Sequence, residues 1–235
     1  MEPMRRTVWG MLAALFLVGG TGCSVTTSDP SYVPPPPRPP MEQLEKAPLA
    51  DSKQFSSGGD VLSFITADRT IVCSLTSARG EHLNLPYEQN SYSNAANNKL
   101  PIVPVAHCEL ATYPAPKAAE IKDDCAGTHL GYLGGTALLA PDSARYGGCR
   151  SGVTTMEATY GPKGNKAGPL TLLPVLADGQ NLERNGLRCS AYNRGVACGN
   201  VSAGVGFFVS TERYELIPGP DKSAAAPQAD ASKTP

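Results

Sequence analysis

The chain has 235 residues, with 20 Lys and Arg against 21 Asp and Glu and a formal charge of −1. That balance argues against a basic nucleic-acid-binding surface and against electrostatic attraction to an anionic membrane. Seven cysteines is an odd number, and an odd thiol in an exported chain needs an explanation.

Residues 1–22 carry a basic start at Arg5 and Arg6, an apolar run from Val8 to Val18, and the small residues Gly19, Gly20, Thr21 and Gly22. This is the layout of a secretory signal peptide. The run falls short of the ~20 apolar residues a spanning helix needs. A cysteine directly after small residues resembles a bacterial lipoprotein signal, which implies cleavage before Cys23 and acylation of its thiol. Gly20 stands where that pattern usually has Leu. Thr-Val-Trp-Gly after the two arginines fits a twin-arginine signal poorly. Acylating Cys23 leaves Cys73, Cys108, Cys125, Cys149, Cys189 and Cys198, an even set that can pair completely outside a reducing cytosol. The expected location is the extracytoplasmic side of the cell membrane, with the lipid as the membrane contact. The only Trp, Trp9, leaves with the signal, which weakens any aromatic sugar-stacking surface.

Residues 23–54 read as a lipid-anchored tether. Pro34 to Pro37 and the pair Pro39-Pro40 favour extended polyproline chain, at about 3.1 Å per residue. "MEQLEKA" has the composition of a helical turn, too short to hold alone. Residues 55–218 form one globular domain, and the small, polar, proline-containing tail 219–235 reads as disordered.

Within the domain, short β-branched and aromatic runs alternate with turn formers. "VLSFITA" and "TIVCSLT" flank Asp68-Arg69 as a first hairpin, and "IVPVAHCELA" follows an Asn-rich loop. "GYLGGTALL" reads as a turn leading into an apolar run; it lacks the Lys and the spacing of a phosphate loop. "GVTTMEATY", "LTLLPVL", "GLRCSAY", "GVACGN" and "VGFFVS" read as further strands, and "APKAAEIKDD" as one or two helical turns. The expected fold is mainly β: a single disulfide-stapled antiparallel β domain on a Pro-rich tether.

Cys189 and Cys198 bracket a tight turn. A four-residue loop Tyr192–Gly195, or a two-residue loop Asn193-Arg194, sets them directly opposite each other. Gly195 favours the four-residue version, whose last residue takes a left-handed conformation. Opposed residues lie ~4.5–5.5 Å apart at Cα, within reach of a disulfide. No pair has Cys-x-x-Cys spacing, so zinc and redox readings lose to a staple. The other four cysteines then keep three possible connectivities.

"FITADRTIVC" (64–73), "HCELATYPAPKAAEIKDDC" (107–125), "GLRCSAYNRGVACGN" (186–200) and "GVGFFVSTERYEL" (204–216) together resemble a family of uncharacterised secreted and lipid-anchored actinobacterial proteins. Phe64, Ile71 and Cys73 match its pattern in register. Ala67, Arg69 and Thr70 replace its Pro, Gly and Asn, and Val205 stands where it has His. The resemblance implies export and sequential pairing: Cys73–Cys108, Cys125–Cys149 and Cys189–Cys198. On chain-entropy estimates each long loop contributes about 3–4 kcal/mol, so these cysteines serve stability rather than chemistry.

Candidate chemistry is thin. His82, His107 and His129 lie far apart in sequence and offer no helical metal pair. His107, beside Cys108, is expected on the opposite strand face, solvated or at a loop edge. No Gly-x-Ser-x-Gly elbow is present, and Asp123-Asp124 reads as a solvated loop before Cys125. No catalytic residue, metal ligand or cofactor is assigned. The expected function is a cell-envelope lipoprotein displaying its β domain for binding or assembly, with an envelope protein or glycan as partner and no nucleic acid. The alternatives are an envelope or cell-wall hydrolase with a site discontinuous in sequence, and an inhibitor of a secreted enzyme.

Overall fold

The computed structural model describes residues 36–58, 60–79, 99–121 and 125–218. The signal segment, Cys23, the first part of the tether, the Asn-rich loop, His82, Asp123, Asp124 and the tail lie outside the described residues. No helix among the described residues is long and apolar enough to cross a membrane.

The chain is mainly β. Strands β1 (Leu62–Ile65), β2 (Ile71–Arg79), β3 (Ile102–Leu110), β4 (Gly131–Ala140) and β5 (Ser143–Arg150) form one antiparallel sheet in chain order. Strands β6 (Asn181–Arg184), β7 (Leu187–Tyr192), β8 (Gly195–Asn200), β9 (Val205–Ser210) and β10 (Tyr214–Ile217) form a second antiparallel sheet, also with sequential neighbours. Alternate residues of both sheets face one shared core: Phe64, Cys73 and Leu75 from one side, with Cys189, Cys198 and Phe207 from the other, all at most 1% exposed. Two-residue periodicity produces this arrangement, because every second side chain lands on the same face.

Three disulfides join Cys73 to Cys108, Cys125 to Cys149 and Cys189 to Cys198. The first and third connect residues directly opposed across β2–β3 and β7–β8, with Cα atoms 4.1 Å apart in each. The second ties the chain after the proline-rich segment to β5.

Four local expectations are corrected. The β7–β8 turn is the two-residue version, because Tyr192 pairs with Gly195 and the left-handed residues are Asn193 and Arg194. "GVTTMEATY" is not a strand: Thr155–Tyr160 form helix α2 behind a capping box in which Thr154 and Glu157 exchange side-chain-to-backbone bonds. That box supplies two of the helix's orphan N–H partners locally and outweighs the β-branched composition. In "LTLLPVL", Pro169–Leu172 form a 3₁₀ turn, and only Val175 makes a bridge, to Ile65.

The fourth correction concerns the tether, which ends well before residue 54. Helix α1 (Pro40–Lys46) lies on the outer face of the second sheet, where Leu44 is fully buried with Tyr192, Ala197 and Phe208. Gly199 makes the room: a Cβ there would sit 2.7 Å from the Leu44 Cδ1. Polar groups lock the helix end. Asn181 donates through Nδ2 to the carbonyls of Leu44 (2.8 Å) and Ala47 (3.2 Å), and Arg188 Nη1 donates to Leu44 (3.1 Å). Seven residues are too few for an isolated helix, but tertiary packing supplies what propensity lacks.

Candidate functional site

The second disulfide and a cluster of tyrosines build a groove along β5. The segment 111–118 contains Pro114 and Pro116, which removes two backbone donors. Side chains hold it instead. Tyr146 donates to the Pro114 carbonyl (2.8 Å) and accepts from the Gly135 N–H (3.3 Å), while Tyr214 accepts from the Lys117 N–H (2.6 Å). The Tyr146 and Tyr214 rings stack at 3.8 Å, joining β5 of one sheet to β10 of the other. Burial pushes the Tyr146 hydroxyl up to about 12 and also raises that of Tyr214, with the nearby Glu120 carboxylate adding to the effect. Both phenols therefore stay neutral.

Beside this clamp, β4 and β5 lose register between Leu133 and Ala137. Gly135 takes φ +86° there, with the Tyr113 ring 2.5 Å from the position of any Cβ. The bulge puts Gly134, Gly135 and Thr136 of β4 opposite the single residue Gly147 of β5, the edge strand of its sheet among the described residues. A pocket of ≈ 450 Å³ opens along it, lined by Tyr132, Leu138, Ala140, Arg145, Gly148 and Leu216 and flanked by Ala119 and Glu120. A second hollow of ≈ 240 Å³ shares Glu120, Ser143, Ala144 and Leu216 with it and reaches Pro218. The Cys125–Cys149 bridge fixes the groove's position, since Cys149 is part of its lining. At Gly148 a Cβ would meet nothing within 4 Å, so the strand offers open space at its middle. The charges are Arg145, exposed, and Glu120, which accepts from Lys117 Nζ at 3.2 Å.

A second polar cluster sits behind α2. Arg150 Nη2 pairs with Glu157 Oε2 at 2.9 Å and donates to Tyr113 Oη (3.0 Å) and the Gly134 carbonyl (2.9 Å). Tyr113 in turn donates to Glu157 Oε1 (3.0 Å), and Glu109 Oε2 accepts from the Met156 N–H (3.0 Å). Both ion-pair side chains are less than a fifth exposed. Every one of these groups is engaged in holding α2 to β3, β4 and β5, which makes the cluster a clamp.

His107 borders the groove through Leu138 without lining it. His107 lies on the outer face of β3, opposite Ser74 and Leu138, with its Nδ1 shut off from solvent. The expectation of a solvated ring is therefore corrected: loss of water, helped by the Arg145 charge, lowers its pKa to about 4. Burial raises the Glu109 carboxyl on the same strand face. Neither residue is among those lining the groove, and His129 is exposed. Val205 is buried at the start of β9 and borders the smaller hollow. Among the described residues one side-chain group has metal-ligand spacing, Cys73, Cys108 and Cys198. All three sulfurs are in disulfides and offer no thiolate.

Glu120, Arg145 and Gly148 carry no motif in the sequence. Only the glycine pair Gly147-Gly148 in a run beside Cys149 hinted that a strand there leaves space. The fold and site thus define a disulfide-stapled, two-sheet β domain with a groove at one sheet edge. Comparison with protein-family models, with curated proteins and with solved structures finds no match to this chain.

Proposed function

We propose that this is a cell-envelope lipoprotein whose β domain binds a partner protein along β5, without turning it over. The groove at that edge is the observation that carries the reading. It runs the length of an eight-residue strand, about 26 Å at ~3.3 Å per residue, and flanks backbone that has a neighbour on one side among the described residues. An extended segment fits such a site by adding to the sheet edge, with its side chains entering the adjoining hollows. The apolar floor at Leu138, Ala140 and Leu216 supplies affinity, and Arg145 and Glu120 supply orientation. Three disulfides support export to an oxidising compartment, as does the likeness to secreted and lipid-anchored actinobacterial proteins. Anchoring at Cys23 is part of the same reading.

Gly148→Trp tests it, because the indole enters open space rather than the core. Affinity capture from the cell's own membranes, wild type against variant, should recover a partner with the wild type and lose it at least tenfold with Gly148→Trp. The variant's thermal midpoint should match the wild type. Equal recovery by both chains would remove the groove from the binding function.

A further inference from the structure

Where the two sheets meet, their cross-strand disulfides touch. Cys108 Sγ lies 3.8 Å from Cys198 Sγ, and the sulfurs of Cys73, Cys108 and Cys198 lie within 4.8 Å of one another. Cys189 falls outside that cluster, on the far side of its own bridge. Cα atoms of β3 and of β7, the strand beside the β8 that carries Cys198, come within 8 Å of each other, closer than the ~10 Å usual for packed sheets. Two compact sulfur pairs, with Ala106 and Ala191 beside them in the core, allow that approach. All four cysteines are at most 1% exposed, so a reductant and solvent protons reach them only when a hairpin opens locally.

We infer that the two bridges form an exchange pair, in which opening either one lets the chain close again as a single bridge between sheets, Cys108–Cys198. The chemistry is thiol–disulfide exchange, which proceeds by attack of a thiolate on a disulfide sulfur. An external dithiol reduces Cys73–Cys108, becoming a disulfide itself and leaving a thiol at Cys73 and a thiolate at Cys108. The Cys108 sulfur then bonds to Cys198 as the Cys198–Cys189 bond breaks. The bonding pair leaves on Cys189, which takes a proton from solvent. Two electrons enter, one bridge is lost, and the thiols end on Cys73 and Cys189 rather than on a bonded pair. Starting from Cys189–Cys198 gives the same product, with Cys73 as the leaving sulfur. The approach required is about 1.8 Å, from the 3.8 Å contact to a bonded ~2.0 Å.

A mild reductant therefore shifts the domain from two staples within sheets to one staple between them. Each of the hairpins β2–β3 and β7–β8 loses its internal link, while Cys125 and Cys149 take no part in the exchange.

The test maps bridges after acid quenching and alkylation. Purified Cys73→Ser chain should carry at least a tenth of its free-thiol label on Cys189, with the matching Cys108–Cys198 peptide. A smaller fraction, with the label on Cys108, overturns the exchange. Wild-type protein reduced with one equivalent of dithiothreitol provides the second measurement and does not depend on the variant folding. It should yield labelled Cys73 and Cys189 together on chains holding Cys108–Cys198. Labelling confined to Cys73 with Cys108, or to Cys189 with Cys198, overturns it.

Discussion

His107 shows how a strand's outer face sets a proton affinity. The ring is held between Ser74 and Leu138 on neighbouring strands, and burial followed by the Arg145 charge lowers its pKa from 6.5 to about 4. The native state therefore binds the proton less well than the unfolded chain. Stability from the neutral ring is fully present above pH 6.5 and is lost as pH falls toward 4. The shift corresponds to at most about 3.5 kcal/mol at ~1.4 kcal/mol per unit. Glu109 works in the opposite sense: its raised carboxyl adds stability at acid pH, which is lost as pH climbs past its ordinary value of 4.5. Urea unfolding at a series of pH values should show the wild type weakening between pH 6.5 and 4. In His107→Gln, which cannot titrate, that fall should shrink by more than half. An unchanged slope would place the acid sensitivity elsewhere. Parity with Cys108 made the face of this residue legible, but not its burial. Burial depends on what packs over a sheet face, and a single strand does not encode that.

At the scale of elements, the alternation of apolar and turn residues made β1, β2, β3, β7, β8 and β9 legible, and direct opposition made the Cys189–Cys198 staple legible. Strands β5, β6 and β10 were not. β5 contains Ser143, Arg145, Gly147 and Gly148, poor strand formers that pair because β4 and the Cys125–Cys149 bridge hold them there. The groove they border was illegible for the same reason. Helix α2 had a readable signal, Thr154-x-x-Glu157, which β-branched composition masked. The turn of β7–β8 separates two explanations of one glycine. Gly195 does not supply left-handed backbone, since Asn193 and Arg194 carry φ of 50° and 58°. It is glycine because a Cβ would lie 2.4 Å from the Val209 carbonyl oxygen and 2.6 Å from the Phe208 ring. Gly195→Ala should therefore destabilise by about 1–3 kcal/mol, the usual range for overpacking. Asn193→Gly should be neutral or slightly stabilising, because glycine adopts positive φ without penalty. Chemical denaturation of both variants checks the pair, and a stable Gly195→Ala chain would contradict the close approach of β9.

For the whole molecule, docking of α1 changes how far the domain stands from its proposed anchor. Cys23 and Pro39 are sixteen residue steps apart, a contour of at most about 58 Å at ~3.3–3.6 Å per residue. That is roughly half the reach of a tether running to residue 54. If Cys23 carries the proposed anchor, that contour is the upper limit on the distance from the lipid to α1, which suits a partner held in the same envelope better than one diffusing freely. Acyl chains contribute about 0.8 kcal/mol per buried CH₂, and stable anchoring takes at least two such signals. Cys23→Ser should consequently either block processing or release processed protein from the membrane fraction, as fractionation followed by intact mass would show. Deleting residues 24–34 should leave both anchoring and thermal midpoint unchanged, because α1 and its contacts with Asn181 and Arg188 remain. Extending the deletion through residue 47 should lower the midpoint by uncovering Tyr192, Ala197 and Phe208. Processed Cys23→Ser protein that stays with the membrane would move the anchor to another part of the chain. A midpoint already lowered by the shorter deletion would mean that the domain begins before α1.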